Sequence, residues 1–309
     1  MKNFLIILIS LYFSVSPLYI KFSNIDPLTI PNLRISYQGV PGSYSYITAN
    51  TLFPNATFIP HNTFEQAMTT VEVGSADFAV IPIENSNAGR VEDVHLLIAK
   101  MKLKIVGEYF LPIQQQLLGI KGSKLEDITV AYSHPTALAQ SSKFLSEHGI
   151  ATVNKLNTAI ACVDVITEGD KTKAAVASSL AAEMYNMEIL AKNIQNDPDN
   201  RTRFIILARN IDVPEYSKEK EYITSLLVEL QEDLGFTYDV MIDIINSFGL
   251  KIRKQELYPI DPGNKHAKYY LEIISHSSEK SFKLAFQYLT KYSQNVKLLG
   301  VYEAKPGFY

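Results

Sequence analysis

The chain has 309 residues, 47% of them hydrophobic, and a formal net charge of −3. That length suits one large or two ordinary globular domains, and the mixed charge offers neither a basic face for nucleic acid nor an acidic disordered arm. The single cysteine, Cys162, excludes an internal disulfide framework and a multi-cysteine metal site, and the six histidines form no HxxxH or HxH pair, so a metal enzyme is not expected.

In chain order, the first feature is an uncharged run from Phe4 to Ile20, closed by Lys21. It has the size of a signal-peptide core and is short for a membrane span. Two readings stand: a leader or anchor that exports or tethers the protein, or a start placed upstream of a cytoplasmic protein beginning near Leu33. Residues 1–31 are therefore set apart from the fold. From Leu33 strands and helices alternate. Arg34 to Tyr37 reads as a strand, followed by a glycine-containing turn over 39–43. Thr63 to Gln66 has the capping-box form, and Phe64, Ala67, Met68 and Val71 recur at helical spacing. Phe78 to Ile83 is a continuous apolar run, as a buried parallel strand should be. Alternation continues to about Arg209 and predicts an α/β region of two lobes, 32–110 with 190–209 and 111–189.

Residues 210–221 are polar, charged and contain Pro214, and read as a linker. Beyond it the pattern predicts strands over Tyr222–Leu230, Lys251–Leu257, Tyr269–Ile274 and Val296–Tyr302, with helices over Tyr238–Phe248 and Glu279–Lys291. That βαββαβ order is the ferredoxin-like unit.

Three strands run directly into a small polar residue that opens a helix: Tyr132 into Ser133 and His134, Leu156 into Asn157 and Thr158, and Ala177 into Ser178. Ligands of open α/β sheets bind at the carboxyl ends of strands. Helix N-termini there present unpaired N–H groups and a partial positive charge suited to an anion. Ordinary helix capping explains any one of these transitions; three together favour a binding cleft. The sharpest local signal is Asn200 to Phe204, where Arg201 and Arg203 flank Thr202. Arginine can hold a carboxylate in a two-point fork, and a neighbouring hydroxyl can donate to a second oxygen. Glu84, Asn85 and Ser86 form the other polar cluster at a strand end.

From Ile35 to Leu207 the chain resembles the catalytic domain of prephenate dehydratases, a domain shared with plant-type arogenate dehydratases. The resemblance rests on YQGVPGSYS (37–45), IPIENS (81–86), VGEYFLPI (106–113), SHPTALAQ (133–140), NTAIA (157–161), ASSLAAEMY (177–185) and NRTRF (200–204), in order and at family-like spacing. It implies a two-lobed fold similar to type II periplasmic binding proteins, with the site between the lobes. The implied reaction is the decarboxylative dehydration of prephenate to phenylpyruvate in phenylalanine biosynthesis, without metal or cofactor. By the same resemblance Thr202, Arg203 and Glu84 are the catalytic candidates, and Asn85, Ser86, Ser133, His134, Asn157, Thr158, Ser178 and Phe204 line the substrate. The C-terminal unit resembles an ACT domain, which implies homodimers or homotetramers and phenylalanine as effector. The implied effector contacts are Asp239, Val240, Met241, Glu256, Leu257 and Tyr258, where this chain departs from the usual glycine turn and charged anchor. Gln114 to Gln116 also stand where the family places a histidine. Arogenate is the alternative substrate, and a non-catalytic protein that binds or senses a small carboxylate is the alternative from another class.

Overall fold

The computed structural model describes residues 29–231, 235–258 and 266–305. The apolar run 4–20 and Pro259 lie outside them, and among the described residues no helix is long and apolar enough to cross a membrane.

The first lobe comprises β1 (Arg34–Gln38), α1 (Tyr44–Leu52), β2 (Thr57–His61), α2 (Phe64–Glu72), β3 (Phe78–Asn85), the short β4 (Gly89–Arg90), α3 (Glu92–Lys100) and β5 (Lys104–Pro112). α1 and α2 begin where side chains can satisfy the first unpaired N–H groups. The Ser43 hydroxyl accepts from the Tyr46 amide, and the Thr63 hydroxyl from the Gln66 amide. α2 then buries Ala67, Met68 and Val71, the stripe its spacing predicts. The chain crosses to the second lobe through Gln114 and Gln115. There β6 (Gln116–Gly119), β7 (Val130–Ser133), α4 (Pro135–Gln140), α5 (Ser142–Glu147), β8 (Ala151–Asn154), α6 (Thr158–Glu168), β9 (Lys173–Ala177), α7 (Ser179–Met184) and β10 (Glu188–Ala191) form a five-stranded sheet of order β10-β6-β9-β7-β8. It returns through 192–200, and β11 (Arg201–Ala208) inserts between β3 and β5, antiparallel to both.

The glutamine run sits in this double crossover. Gln115 Oε1 accepts from the Tyr44 hydroxyl (3.0 Å) and the Gln115 amide donates to Gln195 Oε1 (3.0 Å), while Gln116 Oε1 accepts from the Asn193 amide (3.1 Å). Side-chain amides can donate and accept at once, so here they bind the two connecting segments to each other and to the first lobe.

The C-terminal unit follows as β12 (Tyr222–Glu229), α8 (Tyr238–Ser247), β13 (Lys251–Leu257), β14 (Lys268–Ile274), α9 (Lys280–Tyr292) and β15 (Asn295–Glu303). Its antiparallel order, β13-β14-β12-β15, is that of the ferredoxin-like unit. Its two helices cover one face, where Leu226, Met241, Ile245, Phe282 and Leu289 share a core. The other face does not meet solvent. Ile223, Leu227, Tyr270, Leu299 and Tyr302 pack with Ile98, Leu103, Ile105 and Ile205 of the first lobe. β12 is consequently buried on both faces from Tyr222 to Val228, its polar Thr224 and Ser225 included.

A linker between independent modules would leave two sheets; instead the sheets merge. β15 bridges β5 in parallel at Gly300 and Ile105, so one sheet runs β13-β14-β12-β15-β5-β11-β3-β1-β2. The approach needs glycine: a Cβ at position 300 would stand 2.0 Å from the Ile105 carbonyl oxygen. Lys297 seals the junction by donating to the carbonyls of Ile98 (3.0 Å), Ala99 (2.8 Å) and Met101 (2.6 Å) at the end of α3, where a cation suits the helix dipole. Gly300→Ala is expected to cost about 1–3 kcal/mol through overpacking, read as a lower midpoint in thermal or urea unfolding. An unchanged midpoint would mean that the junction is soft.

Candidate active site

β3 and β11 carry most of the polar residues that the sequence singles out. They pair with Thr202 opposite Asn85 and Arg203 opposite Glu84. Side chains alternate faces along a strand, so Thr202 and Asn85 share one face of the sheet while Arg203 and Glu84 share the other. The first pair meets the second lobe, and the second pair meets the C-terminal unit.

Asn85 is oriented by the turn that follows it. Its Oδ1 accepts from the amides of Asn87 (3.0 Å) and Ala88 (2.9 Å). Its Nδ2 therefore turns the other way, to Asn200 Oδ1 (2.8 Å), the Arg201 carbonyl (3.0 Å) and Thr202 Oγ1 (3.0 Å). The Thr202 oxygen is thus an acceptor toward Asn85, which leaves its proton to be donated elsewhere. Ser86 ties the two strand ends together, its hydroxyl accepting from the Arg201 amide (3.0 Å) and its own amide donating to the Arg201 carbonyl (2.9 Å). Gln140, at the end of α4, crosses from the second lobe and donates to Asn85 Oδ1 (3.2 Å). Gln140 and Asn200 were not among the residues chosen from the sequence, although both lie inside the motifs quoted above.

The opposing wall is made of helix starts. Ser178 caps α7, accepting from the Ala181 amide (3.1 Å) and donating to the Gly42 carbonyl across the lobes (3.2 Å). Tyr185 donates to the Pro41 carbonyl (2.9 Å). Gly42 has φ +88°, a backbone conformation that favours glycine at this turn. Asn157 caps α6 through the Ile160 amide (2.8 Å), with Thr158 buried next to it. His134 caps α4, its Nδ1 accepting from the Thr136 amide (3.2 Å), and burial lowers its pKa toward the neutral form that an acceptor nitrogen requires. The buried Ser133 hydroxyl donates to the Val176 carbonyl (2.6 Å). The protons of Ser133 and Ser178 are therefore committed to protein carbonyls. Phe204, expected to touch substrate, instead packs in the first-lobe core with Phe53, Phe78 and Leu111.

Arg203 and Glu84 require the larger correction. Arg203 is 3% exposed and faces the C-terminal unit. It donates to Glu108 (2.8 Å), Glu84 (3.0 Å), Glu272 (2.6 Å) and the Tyr302 hydroxyl (3.0 Å). Arg253 completes the cluster through Glu108 (2.8 Å) and Glu272 (2.7 Å), while Tyr270 donates to Glu272 and Lys254 pairs with Glu84. No arm of the Arg203 guanidinium is left for a substrate carboxylate. Strand alternation is the cause: residues adjacent in NRTRF point to opposite sides of β11.

Burial by itself would raise the Glu272 pKa, but the guanidiniums of Arg203 and Arg253 outweigh it and hold the carboxyl at about 2, against an ordinary value of 4.5. A depressed carboxyl pKa contributes stability that is fully present above 4.5 and is lost as pH falls from there toward 2. Wild-type protein should lose unfolding free energy across that window more steeply than Glu272→Gln. Parallel slopes in urea titrations at successive pH values would remove Glu272 from the acid response.

The sequence model of the prephenate dehydratase family matches residues 35–212. The chain belongs to that family. It is 35% identical over 283 residues to arogenate dehydratase/prephenate dehydratase 1 of Arabidopsis thaliana, covering 87% of this chain and 72% of that one. It is 34% identical over 273 residues to a bifunctional N-acyl-homoserine lactone acylase/prephenate dehydratase of Komagataeibacter europaeus, covering 88% and 96%. The crystal structure of the Arthrobacter aurescens prephenate dehydratase in complex with L-Phe superposes with a TM-score of 0.80 at 26% identity, covering 88% of this chain and 90% of that one. In this prephenate dehydratase the residues expected to meet an effector are placed unevenly. Asp239 and Val240 are exposed at the start of α8, but Met241 is buried in the core beneath it. Leu257 is exposed, and Glu256 pairs with Lys254 (3.0 Å). Tyr258 is turned inward, buried, donating to the His95 carbonyl (2.9 Å). Met241 and Tyr258 are thus structural in this conformation, since both side chains fill interior space.

Proposed function

We infer that this prephenate dehydratase converts prephenate to phenylpyruvate at the cleft between the lobes, with Thr202 acting on the hydroxyl that leaves. The observation that carries the assignment is the bond that Asn85 makes to the Thr202 oxygen. Asn85 Nδ2 donates to that oxygen, so the Thr202 proton is not used by Asn85 and remains to be donated. The ring carbon–oxygen bond breaks and its electron pair departs on the hydroxyl. The bond to the ring carboxylate breaks in concert, carbon dioxide leaves, and that electron pair enters the ring, which becomes aromatic. Prephenate dianion thus yields phenylpyruvate, carbon dioxide and hydroxide, and the hydroxide takes a proton to become water. A threonine hydroxyl is too weak an acid for full transfer, so its contribution is a hydrogen bond that strengthens as charge gathers on the departing oxygen.

The helix starts at Asn157, Thr158, Ser178 and His134 would hold the side-chain carboxylate through their amides, and Gln140 would close the cleft through Asn85. Arogenate differs from prephenate by an amino group in place of a keto group on that side chain. It is the second reading, favoured by the name of the Arabidopsis relative. The C-terminal unit would act as an ACT domain; the inward-turned Tyr258 and buried Met241 support weak phenylalanine binding, which titration calorimetry with phenylalanine tests. The experiment for the reaction is turnover of each substrate by purified protein. Formation of phenylpyruvate supports the first reading and formation of phenylalanine the second. Binding of a small carboxylate with neither product would leave a non-catalytic carboxylate receptor.

A further inference from the structure

We propose that Asn200 is a substrate-contacting residue, its side-chain amide N–H donating to the departing hydroxyl beside Thr202. The argument rests on the dehydratase reading above and begins with an orientation that the backbone settles. Asn85 Oδ1 receives two backbone amides, so its nitrogen is the atom that faces Asn200. The atom of Asn200 facing that nitrogen must be an oxygen. Asn200 Nδ2 is thereby turned away from Asn85. It is buried, in a residue only 1% exposed, and has no acceptor among the described residues.

A buried donor without a partner is costly, and native proteins keep few of them. This one belongs to a side chain whose Oδ1 shares, with Thr202 Oγ1, the same Asn85 nitrogen. Two donors then lie next to each other, an amide and a hydroxyl, each with its acceptor side occupied by Asn85. The substrate of a dehydratase brings the missing acceptor, an oxygen that gains negative charge as its bond to carbon breaks. A neutral amide suits that task, because its N–H strengthens toward the departing hydroxide without pairing with the ground-state substrate as a cation would.

The test is Asn200→Asp, assayed for kcat and KM with prephenate and for Tm. Aspartate keeps the oxygen that accepts from Asn85 and replaces only the N–H. A contact to the leaving oxygen is expected to appear as a fall in kcat of about 100-fold, alongside a Tm lowered by the buried charge, and partial recovery of kcat as pH is lowered enough to protonate the new carboxyl. A folded Asn200→Asp that keeps more than about a tenth of wild-type kcat overturns the proposal, because support of Asn85 is then the whole role. If Asn200→Asp does not fold, Asn200→Ser, which retains a donor, is compared with Asn200→Ala, which retains none. Serine the more active by about tenfold or more supports the contact; equal activities overturn it. Wild-type protein that turns over neither prephenate nor arogenate removes the reaction itself, and that failure is visible before any variant is made.

Discussion

Thr202→Ala should lower kcat by about 10²–10³-fold, or about 2.7–4 kcal/mol of transition-state stabilisation, the range typical for loss of one preorganised donor to a developing oxyanion. KM should change little, since the hydroxyl matters most when charge has gathered on the departing oxygen. Thr202→Ser should stay within about tenfold of wild type, because it keeps the oxygen that accepts from Asn85 and the proton that remains to be donated. What it loses is the methyl group that restricts the side chain to few rotamers. The measurement is the initial rate of phenylpyruvate formation across substrate concentrations. Equal kcat in wild type and Thr202→Ala would move the reaction centre away from β11.

The second large effect concerns stability. Arg203→Met should destabilise the fold by about 3–5 kcal/mol, since it leaves buried carboxylates with one guanidinium fewer. Glu108 and Glu272 are fully buried, and each shares its charge between Arg203 and Arg253. Arg203→Lys should recover only part of the loss, because an ammonium cannot reach Glu84, Glu108 and Glu272 in the fixed fork of a guanidinium. Urea midpoints of the three proteins decide the matter. Normal stability with activity abolished would return Arg203 to the catalytic groups, against its position on the far face of the strand.

These two residues show how far the sequence could be read. Thr202 and Arg203 are neighbours in one motif and looked like partners in one site. The element that carries them was legible, because Phe204 to Ala208 is a continuous apolar run with buried-strand character. Which side of that strand faces the substrate was not legible. It depends on what covers each face, and the C-terminal unit covers one of them with residues about fifty and seventy positions away, Arg253 and Glu272. The same distance hid the merged sheet. A polar stretch over 210–221 reads as a linker, while the single close approach of Gly300 to Ile105 leaves no periodic trace in sequence. Gln140 and Asn200 escaped for a related reason: one asparagine side chain, Asn85, joins them, and it does so only after α4 and β11 are brought together.

By itself the sequence determined the local structure and the family. Apolar periodicity, capping residues and glycine turns are short-range signals, and they placed the helices and strands, including the βαββαβ unit, close to where they lie. Seven motifs in order determined the kinship. Only the tertiary structure decided that Thr202 and Asn85 lie on the face that meets the second lobe while Arg203 and Glu84 look into a buried ion cluster. Alternation along a strand says that neighbours point apart, but only the partners across the sheet say which of them meets the substrate.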